Sequence, residues 1–171
     1  MFCEFYRPIP FHADRILFLD RDNTLVKDSG YFHDSENVEF LDDSYAFLNA
    51  DSLGNTMVAI VSNQSGIGRG LFSIEDSIKV NRKIRDRLAQ DGGMLHAATF
   101  CPHQPLDDCL CRKPGTLMFE YLMKIANVMP GSCLHVGDSN SDEDAARALG
   151  IPFVRATQCG IRKAINGWVS S

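Results

Sequence analysis

The chain has 171 residues, 44% of them hydrophobic and 23% charged, with a formal net charge of -5; this suits one domain with a real core and excludes a disordered chain. The acidic balance leaves no footprint for nucleic acid, and no run approaches the roughly 18 apolar residues of a membrane span. Met1 to Asp14 lacks the basic-then-apolar pattern of a secretory leader, so a cytoplasmic monomer acting on a small molecule is expected.

In chain order, Ile16 to Leu19 is a short apolar run that stops at Asp20-Arg21-Asp22-Asn23. Asp43 to Leu53 carries Ala46, Phe47, Ala50 and Leu53 at helical spacing. Met57 to Val61 is a second apolar run, ending at Ser62-Asn63-Gln64-Ser65-Gly66. Ser73, with Asp76 three residues on, opens a helix reaching Leu88 with Ile74, Ile78 and Ile84 on one face. Asp91-Gly92-Gly93 punctuates the chain before a strand from Leu95 to Phe100. Leu117 to Ala126 predicts a helix, Cys133 to Val136 a strand running into Gly137-Asp138, and Asp142 to Leu149 a helix stopped by Gly150. Ile151 to Val154 adds a last strand at the edge. Strand alternating with helix predicts a single α/β domain over 1–171, a parallel Rossmann-like sheet between two helical layers. Continuous apolar strands suit such a sheet, and polar clusters at their carboxyl ends are where it places a site.

Two features carry chemistry. Asp20 and Asp22 close one strand and Asp138 and Asp142 follow another; carboxylates gathered there repel unless a cation sits among them, and oxygen ligands suit magnesium. Asp20 is placed to attack phosphorus and Asp22 to protonate the leaving oxygen and then activate water. Asp20, Asp138 and the Asp22 backbone carbonyl form the expected magnesium set. Of six cysteines, Cys3, Cys133 and Cys159 stand apart, whereas Cys101, Cys109 and Cys111 crowd with His103 in the 101–111 loop. That is a complete tetrahedral set for zinc, in a loop with little apolar material of its own. Fixing Cys111 fixes Arg112 and Lys113, cations suited to a phosphate.

Phe18 to Leu25, FLDRDNTL, resembles the first motif of the haloacid-dehalogenase-like phosphatases. Val61-Ser62-Asn63, Lys113 and Gly137-Asp138 with Asp142 resemble the other three, in order. The resemblance implies Asp20 as nucleophile, Asp22 as general acid/base, Ser62 and Lys113 on the phosphoryl group, and a capless fold. The zinc set is similar to that of a subgroup containing heptose-1,7-bisphosphate 7-phosphatases and histidinol-phosphate phosphatases. Gly30 to Phe40 and Ser62 to Phe72 look like the heptose pattern, which implies a phosphorylated sugar as partner and a place in lipopolysaccharide biosynthesis. Carried over, the loop from Gly30 to His33, with Tyr31, and the segment from Gln64 to Arg69, with Asn63 before it, face the sugar and Arg112 meets phosphate. The short Gln104 to Asp108 segment is closer to the histidinol enzymes. Asn23 stands where the family has Gly, and Ser139 where it has Lys or Arg. A zinc-supported interaction protein without catalysis is the reading from a different class.

Overall fold

The computed structural model describes residues 1–170 apart from 9–11, 29, 42–47, 49–52 and 157–160, with the backbone alone for 161–164. Strands β1 (Phe2–Phe5), β2 (Arg15–Leu19), β3 (Thr56–Asn63), β4 (Ala97–Cys101), β5 (Cys133–Gly137) and β6 (Phe153–Arg155) form one sheet. Its order is β1-β4-β3-β2-β5-β6, parallel except for β1, which runs antiparallel to β4. Ile16 to Leu19 and all of β4 and β5 are buried, as strands covered on both faces must be.

Among the described residues four helices cover the sheet: α1 (Ile74–Gln90), α2 (Leu117–Ala126), α3 (Asn140–Leu149) and α4 (Ile161–Val169). Side chains alternate across β2, so Ile16 and Phe18 join Met118, Phe119 and Leu122 of α2 and Ala145 of α3 on one face. Leu17 and Leu19 join Val80, Ile84 and Leu88 of α1 and Ile165 of α4 on the other. The Phe18 and Phe119 rings meet edge to face at 5.0 Å between centroids, a pairing that adds about 1 kcal/mol to simple burial.

The sequence reading did not anticipate β1 or α4. A one-turn helix, Ser65–Gly68, follows β3 and leans on the 101–111 loop: Gly68 N–H donates to Pro102 O at 2.9 Å, and a Cβ at Gly68 would meet that oxygen at 2.8 Å. The helix expected over Asp43 to Leu53 and the lone Cys159 lie outside the described residues, save that Leu48 and Leu53 are both buried.

Candidate active site

β2 ends at Leu19, and the next residue is still tied to the sheet: Asp20 N–H donates to Val136 O at 2.8 Å. The chain then turns tightly, with Asn23 N–H on Val26 O at 2.7 Å and Leu25 and Val26 buried as anchors. Asn23 adopts φ 55°, the left-handed backbone that Asn tolerates better than most residues. The left-handed turn is thus met here without a glycine.

Lys113, 3% exposed, reaches this strand end from the zinc-type loop. Its Nζ donates to Asp20 Oδ1 at 2.6 Å, to Val61 O at 2.8 Å and to Asp142 Oδ1. Burial alone would lower the lysine pKa, but the Asp20 and Asp142 charges outweigh it and hold the ammonium on. The lysine backbone is fixed as well, because the Asn63 amide accepts from Lys113 N–H at 2.9 Å and donates to Lys113 O at 3.0 Å.

Asp142 is set by its own helix. Ser139 caps α3, its Oγ accepting from Asp142 N–H while Asp142 Oδ2 accepts from Ser139 N–H and Oγ. The carboxylate packs against Gly137, where a Cβ would approach Asp142 Cγ to 2.5 Å. Burial works against the Asp142 charge, yet Lys113 and the His135 ring, 3.1 Å away, hold its carboxyl well below the usual range. Burial pushes Asp20 up to about 7, with Lys113 opposing and Asp142 and Asp22 adding to the rise. Burial and Asp142 also raise Asp138.

Asp22 faces a different way. Its Oδ1 accepts from Arg21 Nε at 2.8 Å and its Oδ2 from Arg21 Nη2 at 3.1 Å and Gln64 Nε2 at 2.6 Å. Gln64 Nε2 also donates to Ser62 Oγ at 2.7 Å, and Gln64 Oε1 accepts from Arg21 Nη2 at 2.7 Å.

Asp20, Asp138 and Asp142 each offer a carboxylate oxygen, all within 4.8 Å of one another. Burial first and the neighbouring carboxylates second push two of the three upward, and a hard oxygen set of this kind suits magnesium. The Asp22 carboxylate stands outside this group, which leaves only its backbone carbonyl as a ligand candidate.

The Cys101, His103, Cys109 and Cys111 ligand atoms form a second group. Cys101, Cys109 and Cys111 Sγ lie 3.3 Å to 3.7 Å from one another and His103 Nδ1 lies 3.3–3.4 Å from Cys111 and Cys101, all four atoms falling within 4.8 Å. Tetrahedral zinc with Zn–S near 2.3 Å and Zn–N near 2.0 Å requires ligand edges of about 3.5–3.8 Å, so the four atoms fit that ion closely.

A cavity of about 320 Å³ opens over the carboxylates, lined by Asp20, Asp22, Ser62, Asn63, Gln64, Lys113 and Asp138 with Gly30 and Tyr31 of the following loop. Ser65, within the expected Gln64 to Arg69 segment, lines it too, as do Asp28, Ser139 and Ser141, which sequence reasoning had not singled out as substrate-facing. His33, Arg69 and Arg112 are not among the residues that line it. His33 stacks on Phe72 at 5.1 Å, Arg69 lies over the Tyr31 ring at 5.8 Å, and Arg112 turns its Nη1 to His103 O at 3.4 Å. Asn63 and Gln64 line the cavity, but their amides are engaged by Lys113, Asp22, Ser62 and Arg21.

Fold and carboxylate–lysine site together define a HAD-like hydrolase, and a HAD-hydrolase-like family model matches residues 110–162. A protein of Thermoplasma acidophilum named probable D-glycero-D-manno-heptose-1,7-bisphosphate 7-phosphatase is 37% identical over 140 residues, 81% of this chain and 88% of that one. The D-glycero-beta-D-manno-heptose-1,7-bisphosphate 7-phosphatase of Pasteurella multocida is 34% identical, over 80% of this chain and 78% of that one. The crystal structure of D,D-heptose 1,7-bisphosphate phosphatase from B. bronchiseptica, complexed with magnesium and phosphate, superposes with a TM-score of 0.75 at 32% identity, covering 81% of this chain and 78% of that one. The chain belongs to the D-glycero-D-manno-heptose-1,7-bisphosphate 7-phosphatase family.

Proposed function

We propose that the chain hydrolyses the 7-phosphate of D-glycero-D-manno-heptose 1,7-bisphosphate through an aspartyl-phosphate on Asp20. The observation that carries this reading is the Lys113 ammonium, bonded at once to Asp20 and Asp142 at the floor of the cavity beside Ser62. Family membership supports the substrate.

Asp20 attacks phosphorus, the bond from phosphorus to the sugar oxygen breaks, and Asp22 gives that oxygen a proton. Water then attacks the phosphoryl group and loses a proton to Asp22. The bond to Asp20 breaks, phosphate leaves and the carboxylate is restored. Lys113 and Ser62 hold the transferring oxygens. Magnesium, on Asp20, Asp138 and the Asp22 carbonyl, would supply charge neutralisation. Cys101, His103, Cys109 and Cys111 would hold zinc, which would supply structural support to the loop that presents Lys113. A single domain over 1–171, acting as a monomer in the cytoplasm, completes the reading. Among the described residues no helix is long and apolar enough to cross a membrane.

Asp20→Asn tests it directly. Magnesium-dependent phosphate release should fall by at least about a thousandfold with the fold retained by circular dichroism. Near-normal turnover in that variant would end the assignment.

A further inference from the structure

Arg21 sits between the two proposed catalytic aspartates in sequence, yet its side chain is fully buried. A buried ion pair rarely stabilises a protein more than an apolar pair of the same shape, so bulk stability does not explain an arginine here. Three of the four hydrogen bonds of the guanidinium go to the Asp22–Gln64 pair. Nε and Nη2 grip both oxygens of Asp22, while Nη2 also meets Gln64 Oε1 and, at 3.2 Å, Phe32 O. Nη1 has no partner among the described residues.

Gln64, 3% exposed, completes a closed frame. Its two amide protons go to Asp22 Oδ2 and Ser62 Oγ, and its oxygen accepts from Arg21. Because Ser62 Oγ accepts here, its own proton is left free to point at a phosphoryl oxygen. The plane of the Asp22 carboxylate and the direction of the Ser62 hydroxyl are therefore set by the same two side chains.

We propose that Arg21 is the positioning residue for Asp22, acting with Gln64 as one rigid frame that fixes the acid/base carboxylate relative to Ser62. This rests on the roles given to Asp22 and Asp20 above. A guanidinium fork defines a plane, which a lysine ammonium cannot do, so Arg21→Lys should recover only part of the effect.

The test compares two leaving groups at saturating magnesium. A sugar alcohol needs a proton to leave, whereas 4-nitrophenolate does not; hydrolysis of the aspartyl-phosphate needs Asp22 with either. In the full chain, Arg21→Gln and Gln64→Met should lower kcat on the sugar bisphosphate by about a hundredfold, with KM within about threefold. On 4-nitrophenyl phosphate they should give a burst of about one nitrophenolate per site followed by slow turnover, as Asp22→Asn should. Arg21→Lys should fall between. Equal losses on both substrates without a burst, or unchanged turnover, would overturn the proposal. Gln64→Met leaves no unpaired charge and carries the test alone if Arg21→Gln does not fold. If Asp22→Asn gives the burst and the frame variants do not, the positioning role fails alone. If Asp20→Asn retains turnover, the reaction itself has been misread.

Discussion

At the scale of single residues, the molecule uses buried polar groups in two opposite ways. Lys113 is kept charged by two carboxylates, whereas His96 is kept neutral: Val58 N–H donates to its Nδ1 at 3.0 Å, and burial lowers its pKa to about 4. The unfolded ring titrates near 6.5, so between pH 6.5 and 4 the unfolded chain binds the extra proton. Stability from this group is complete above pH 6.5 and is lost as pH falls, by up to about 3 kcal/mol at pH 4. His96→Gln keeps an acceptor for Val58 without titrating. Denaturant melts at pH 7 and pH 4 should therefore show a smaller acid-induced loss in the variant than in the native chain.

At the scale of elements, the two capping boxes make a controlled comparison. Ser73 caps α1 in an exposed position, and Ser139 caps α3 through the same Asp142 that binds Lys113. Replacing either serine by alanine should cost about 1 kcal/mol, or about 2–4 °C in Tm. Only Ser139→Ala should also lower kcat, since it frees one side of Asp142; equal kinetics in the two variants would show that the cap is structural alone. The sequence made these elements readable to different degrees. The runs ending at Leu19, Val61 and Val136 were legible as strands because both faces are covered. β1 was not, because FCEF is an edge strand with Phe2 exposed and the other three positions half-buried. α4 was missed although Arg15 Nη1 binds Trp168 O at 2.7 Å near the helix end, a contact that joins residues 153 positions apart. In the site, the carboxylates and Lys113 announced themselves by position. The inward turn of Asn63 and Gln64 did not, since a polar residue at a strand end can face a ligand or its neighbours with the same local sequence.

At the scale of the whole molecule, the cysteine–histidine group and the active site share one support. Asn63 opposes Cys101 in the β3–β4 register and also clamps the Lys113 backbone. Metal analysis should find about one zinc per chain. Chelation should expose the loop to proteolysis near Leu106 and Leu110, which are 96% and 77% exposed; protein that is metal-free as prepared and resists cleavage would argue against zinc. The same tip has a consequence for how the chain can be divided. Cys101 and His103 lie on one side of Leu106, with Asp20, Asp22 and Ser62; Cys109 and Cys111 lie on the other, with Lys113, Asp138 and Asp142. Two polypeptides cut there would each carry half a ligand set and half a reaction centre, to be rejoined along the β2–β5 seam. With zinc as the staple between them, catalytic output would become a report of metal supply.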